Sequence, residues 1–222
     1  MDWTAFGLSL QLGGATLALL LPIGVAIGRT LALRRFRGRA VAEALVALPL
    51  VLPPTVLGFY LLTVFGARSP LGRAFAGMTG QSLAFSFEGL VLASMLINLP
   101  FAVQPIQRAF EAVPSDVREA AACCGLSPWR AFAAIELPLA WPGILTAAIL
   151  TFAHTLGEFG VVLMVGGNIP EETRTLSIAI YDRVQAFDDR GAGIMAATLL
   201  AIALVTLGLT NLLGSRLARR HA

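Results

Sequence analysis

Apolar residues fill five long stretches of this chain, and polar residues gather in the gaps between them. The stretches cover about residues 6–28, 41–66, 86–106, 139–166 and 192–214. Each is long enough to cross roughly 30 Å of hydrocarbon as a helix, which takes about 20 residues. The pattern predicts an all-α, polytopic membrane protein of about five transmembrane helices, with residues 1–222 as one transmembrane domain. The first stretch does not read as a signal peptide. Asp2 stands where basic residues are expected, the run is too long, and no small-residue cleavage site is clear.

Three stretches carry interruptions. The second contains Pro49, Pro53 and Pro54. Proline removes a backbone donor and kinks or breaks a helix. Carbonyls freed at membrane depth are tolerated only against protein or a water-filled cavity. The second helix is therefore expected to bend, either to line a pathway or only to improve packing. The third stretch holds Asn98, Pro100, Gln104 and Pro105, so it too should be bent and partly polar. In the fourth, His154 and Glu158 lie four residues apart and share a helix face. A charged side chain at the bilayer centre costs roughly 2.5 kcal/mol or more, so this pair should face protein or water. Pro53, Pro54, His154 and Glu158 are the candidates for a pathway or gate. A structural role for Glu158, bonded to backbone or to a second copy, stands beside that reading. A metal site gains no support, because the only other histidine is His221.

The gaps differ in character. Residues 67–85 read as a short loop rich in Gly and Ser. In residues 168–190, Leu176, Ile180, Val184 and Phe187 fall at helical spacing, which predicts a short amphipathic helix. It closes a pathway or meets a partner on one reading, and lies idle at the interface on the other. The gap at 114–138 is the most structured. Ser115 or Asp116 should cap a short helix, with Glu119 at capping-box spacing from Asp116. Gly125 should stop it in a left-handed turn. Ser127 and Pro128 then start a second helix as N-cap and first residue, with Trp129, Phe132 and Ala133 on its apolar face. Two short helices meeting at a glycine make either a docking surface or a surface helix lying on the bilayer.

Composition narrows the classes. Hydrophobic residues make up 57% and charged residues only 13%. The charged share is about half the roughly 25% usual for soluble domains. All sixteen cationic side chains are arginines. Without lysine there is no P-loop ATPase and no Schiff-base catalysis in this chain. No nucleophile, base and orienting group fall together, which counts against a polytopic membrane enzyme. No pair of halves with corresponding broken helices is visible, which counts against a secondary transporter. No nucleic-acid partner is expected. Adjacent Cys123 and Cys124 read as small buried helix residues rather than a disulfide or metal pair. Arginines set the orientation. With the N-terminus outside and the C-terminus cytoplasmic, eleven arginines fall inside and five outside, as the positive-inside rule prefers. The 114–138 gap is then cytoplasmic.

The residues of that gap carry a resemblance. Glu119-Ala120-Ala121, then Gly125, then Ile135 and Leu137-Pro138 resemble the EAA loop of prokaryotic ABC importer permeases. LPLVLPPTVLGFYLL at 48–62, FAHTLGEFGVVLMVGG at 152–167 and NIPEETRTLSIAIY at 168–181 are similar to the molybdate branch of that family, which is related to sulfate permeases. The pattern has glycine after NIP; here Glu171 stands there. The resemblance implies an ABC permease fold in a bacterial or archaeal plasma (inner) membrane. It implies a coupling helix formed by Glu119, Ala120, Ala121, Gly125, Leu126, Ser127 and Pro128, docked on an ATPase. It implies a homodimer served by two ATP-binding cassette subunits inside and a substrate-binding protein outside. ATP and Mg would sit on the ATPase, with no cofactor on this chain. The implied substrate is an oxyanion, molybdate first, with sulfate or tungstate as alternatives.

Overall fold

Asp2 opens the first helix by accepting a hydrogen bond from the Ala5 N–H at 2.9 Å. The computed structural model describes residues 1–218, with side chains through residue 208. The tail residues Arg219, Arg220 and His221, used above, lie outside the described residues. Helix α1 runs Trp3–Leu33, α5 runs Phe87–Glu111 and α8 runs Leu137–Gly157; these three pack on one another as the centre of the fold. Small residues let them approach. A Cβ on Gly28 would come within 2.9 Å of Ile106 Cγ2, and one on Gly13 within 2.9 Å of Phe152. Between apolar helices in lipid, close packing replaces the hydrophobic effect as the source of adhesion.

Among the described residues, four helices are long and apolar enough to cross a membrane: Trp3–Leu33, Phe87–Glu111, Pro128–Gly157 and Asp189–Gly208. The remaining predicted span, at 41–66, departs from expectation. It is two helices, α2 (Arg39–Val51) and α3 (Pro54–Phe65), bent by 110° at Pro53. At 1.5 Å per residue each is only about 20 Å long, too short to span alone. Contacts nevertheless take the pair from one end of α5 to the other. Arg39 donates to Glu111, the last residue of α5, at 2.9 Å, and Gln107 Nε2 donates to Glu43 at 2.9 Å. Phe65 shares a buried cluster with Leu83, Ala84 and Ala93 at the opposite end. The expected bend is therefore a complete break. By contrast α5 continues through Pro100 and Pro105.

Other boundaries move as well. The gap at 67–85 contains a helix, α4 (Pro70–Thr79), capped by Ser69, whose Oγ accepts from Gly72 N–H at 2.8 Å. The fourth span starts earlier and ends earlier than the hydrophobic pattern gave. Helix α6 is Ser115–Cys123 and α7 is Pro128–Ala131; α7 then runs through a π-helical turn, Phe132–Glu136, straight into α8. The chain breaks at Glu158 and Phe159 and resumes as α9, Gly160–Gly166. A pair of lateral helices completes the fold: α10 (Leu176–Gln185) and α11 (Asp189–Ala218), the latter packed on α8 and α10.

Candidate functional site

Two helix breaks meet at the middle of the fold. The α2–α3 break brings two prolines, and the α8–α9 break brings Glu158. Pro54 packs against α9 so closely that a Cβ on Gly160 would lie 2.9 Å from Pro54 Cβ. Gly58 makes the next contact along α3, against Met164. The prolines explain the first break. The second has a different cause: Glu158 is extended (φ −67°, ψ 133°) and turns its own carboxylate onto the restarted helix. Its Oε1 accepts the Val161 N–H at 3.1 Å, while its carbonyl accepts the Ser177 hydroxyl at 2.7 Å. His154 and Glu158 thus do not share one helix face, as spacing suggested, because Glu158 lies past the helix end. Their side chains still approach, Nε2 to Oε2 at 3.9 Å. Both line a cavity of about 190 Å³ with Pro49, Pro54, Ile97 and Phe101.

Asn98 fixes the histidine. Its Nδ2 donates to the Ser94 carbonyl at 2.8 Å and to Thr155 Oγ1 at 3.0 Å. A carbonyl only accepts, so the amide orientation is set and Oδ1 must face His154 Nδ1, 3.0 Å away. That nitrogen therefore carries the proton, and Nε2 points its other valence toward Glu158. Phe101 covers the imidazole with ring centroids 4.3 Å apart. Asn98 is fully buried, and nothing in the sequence paired it with His154. The contact between the two breaks is likewise absent from the sequence pattern.

The 114–138 element holds its predicted shape with three corrections. Gly125 is left-handed at φ +74°. Its N–H reaches the Ala122 carbonyl at 3.0 Å, and Leu126 N–H reaches Ala121 at 3.1 Å, the paired bonds of a Schellman stop. Ser127 Oγ accepts from Arg130 N–H at 3.4 Å, with Pro128 first in the helix. The predicted cap at the other end does not form: Pro114 occupies that position and Ser115 turns its hydroxyl to Asp116 at 3.2 Å. Ala121 is buried, so it supports the helix from within rather than facing a partner. Glu119, Ala120, Gly125, Ser127 and Pro128 are exposed, and Leu126 is half-buried. Cys123 and Cys124 are exposed free thiols, not buried residues. Sequence reading missed Glu136. It is the buried last residue of the π-helical turn and accepts from Arg29 Nε at 2.6 Å.

The segment carrying the NIP resemblance is a turn closed by several hydrogen bonds. Asn168 Nδ2 donates to both oxygens of Asp182, at 2.9 and 2.8 Å, while Arg174 Nε donates to Asn168 Oδ1 at 2.6 Å. Thr173 Oγ1 donates to the Gly166 carbonyl at 2.7 Å. Leu176 N–H reaches Ser9 Oγ on α1 at 2.8 Å. Glu171 sits at φ +70°, a conformation glycine adopts freely. The α10 helix ends before Phe187, which is left-handed at φ +57° and exposed, so Phe187 does not extend its apolar face. Beside it the Asp188 carboxyl is held below its ordinary value by the Gly191 N–H and then by Arg183.

Membrane-length helices surround two broken ones, and a helix-glycine-helix element lies between spans. The family model described as "Binding-protein-dependent transport system inner membrane component" matches residues 21–220, and the chain belongs to that family. The "Molybdenum transport system permease protein ModB" of Azotobacter vinelandii is 51% identical over 84% of this chain and 83% of its own. The protein of the same description from Escherichia coli (strain K12) is 36% identical over 100% of this chain and 96% of its own. The fold matches "Crystal structure of bacterial alginate ABC transporter in complex with alginate pentasaccharide-bound periplasmic protein" with a TM-score of 0.72 at 18% identity, covering 98% of this chain and 78% of that one. The chain is thus the inner-membrane permease component of a binding-protein-dependent transport system.

Proposed function

We propose that two copies of this chain form the translocation pathway of an importer for a tetrahedral oxyanion, molybdate. The observation that carries the substrate is the 51% identity to a molybdenum permease over most of both chains. Residues 1–222 act as one transmembrane domain, with the N-terminus outside and the C-terminus in the cytoplasm, as the arginine distribution favours. Two ATP-binding cassette subunits, holding ATP and Mg, dock on α6 and the Gly125 turn. A binding protein delivers the anion outside.

The geometry supports a lever. From Pro128 to Gly157 the chain is one continuous helical rod, roughly 45 Å long. Its first turn adjoins the exposed Gly125 element and its end is Glu158, beside the α3–α9 contact. Movement of the docked ATPases is carried along this rod to the two breaks. The Pro53–Pro54 and Glu158 breaks, with His154 at their side, act as the gate. ATP-driven closure favours one of two states by binding it more tightly. Glu158 is a carboxylate and would not hold a dianion, so selectivity rests with the binding protein.

The test is purification of the permease with its ATPase and binding protein, reconstituted into liposomes. ATP-dependent uptake of radiolabelled molybdate, competed by tungstate and less by sulfate, supports the reading. Uptake of sulfate in preference to molybdate would overturn the substrate.

A further inference from the structure

We infer that the groove between the C-terminal part of α1 and the α7 element is a binding site for one anionic phospholipid of the cytoplasmic leaflet. The groove encloses about 830 Å³ and is walled by Pro22, Val25, Ala26, Trp129, Phe132 and Leu137, with Arg29 among them. Pro22, Ala26 and Thr30 are exposed and lie one turn apart, so they form a single open stripe on α1. The walls are apolar over about 12 Å of helix length, from Leu21 to Arg29. That is the surface an acyl chain covers.

The polar end of the groove is shaped for an anion. Arg29 spends only its Nε on Glu136, at 2.6 Å. The face of its guanidinium rests on Phe132, 5.0 Å from the ring centroid. Among the described contacts its two terminal nitrogens donate to nothing, and the side chain keeps 34% of its exposure. Guanidinium nitrogens in a fixed fork match phosphate geometry. Glu136 neutralises one charge there, but Arg34, Arg35, Arg37 and Arg130 are exposed on the flanking segments and leave a positive surplus. Trp129 is 73% exposed beside the groove, where an indole suits the boundary between headgroups and chains. Apolar below, cationic above and edged by an indole, the groove fits a lipid better than a soluble ligand. Its occupant would tie α1 to the element that the ATPase moves. The leaflet rests on the proposed orientation; the anionic headgroup is fixed by the Arg29 fork, with the flanking arginines adding to the positive surplus.

The experiment uses the full chain with Trp3→Phe and Trp141→Phe, which leaves Trp129 as the only indole. It is reconstituted into phosphatidylcholine vesicles containing either brominated phosphatidylglycerol or brominated phosphatidylcholine at equal fraction. The brominated phosphatidylglycerol is expected to quench Trp129 with about fivefold preference, the worth of one basic side chain at an anionic surface. Arg29→Gln combined with Glu136→Gln leaves net charge unchanged and removes the fork, so the preference should fall to that of bulk lipid. Ala26→Phe fills the groove and should lower quenching by both lipids while Arg29 stays in place. Equal quenching by the two lipids, or a preference that survives the double variant, would overturn the assignment. A chain carrying Ala26→Cys, Cys123→Ser and Cys124→Ser supplies one thiol in the groove. Absence of quenching by either lipid, together with disulfide crosslinking of two copies of that chain, would give the groove to a second copy. Quenching that vanishes when the ATPase is added would give it to that subunit instead.

Discussion

Arg29 and Glu136 are 107 positions apart in the chain, and the Arg29 Nε donates to Glu136 Oε2 at 2.6 Å. The pair joins the end of the first long helix to the last residue of a π-helical turn. Insertions of this kind in a helix recur at functional sites. Here the turn lies between the Gly125 element and the rod that reaches Glu158, and Arg29 clamps it. Glu136 is only 6% exposed at its side chain, and Arg29 is its ion-pair partner among the described contacts.

Removing the partner should be costly. Arg29→Ala leaves a buried carboxylate unpaired, with an expected loss of about 2–4 kcal/mol, near the low end for a broken buried pair because Arg29 itself reaches solvent. Adding Glu136→Gln should restore most of it. Thermal unfolding of the purified chain in detergent checks both variants; a destabilisation equal in the single and double variants would refute the clamp.

Gly125→Val meets no steric obstacle, since nothing lies within 4 Å of a Cβ there. The left-handed φ of +74° is the difficulty, costing about 1–2 kcal/mol for an L-residue. The Schellman stop should loosen while the spans stay inserted. Uptake is expected to fall at least tenfold, with ATP hydrolysis by the assembled complex retained but no longer stimulated by the loaded binding protein. Normal transport by this variant would remove the docking role from the element.

At the gate, Gly160→Val drives a side chain into Pro54, whose Cβ would already lie 2.9 Å from a Cβ at 160. Overpacking of this kind costs about 1–3 kcal/mol. The two broken helices should separate, giving a chain that assembles with its ATPase yet leaks or fails to transport. Anion flux without ATP from loaded liposomes distinguishes a leak from closure. Unchanged flux and unchanged uptake would exclude the α3–α9 contact from gating.

Glu171→Gly should stabilise. Glu171 holds φ +70°, which costs a non-glycine residue about 1–2 kcal/mol. Glycine loses part of that gain through its freer unfolded state. A net gain of about 0.5 kcal/mol corresponds to roughly 1–2 °C in melting temperature. A fall in melting temperature would show that the Glu171 side chain contributes more than its backbone strain.

Hydrophobic runs and turn residues were legible because both act locally. The 6–28, 86–106 and 192–214 stretches each coincide with one helix. Gly125, Ser127 and Pro128 each take the conformation their chemistry requires. In the second and fourth stretches the breakers Pro53, Pro54 and Glu158 are visible in the sequence, but the angle the chain takes at them is not. Leu52 beside Pro53 and Phe159 beside Glu158 keep each run apolar overall, so hydropathy does not end where the helix does. Ala121 was misplaced because a small residue between exposed neighbours carries no mark of the face it takes. Asn98 and His154 were each visible as polar residues in apolar surroundings, but not as partners.

The sequence by itself determined the helical class, the membrane setting, the glycine turn and the family resemblance. Each depends on composition or on residues close together in the chain, where backbone conformation and transfer from water are decided locally. Tertiary structure alone decided that the Pro53–Pro54 and Glu158 breaks meet, that Asn98 sets the histidine proton, and that Arg29 holds Glu136. Those are contacts between helices. Their energies depend on distance and burial in the packed bundle, which spacing along a chain does not specify.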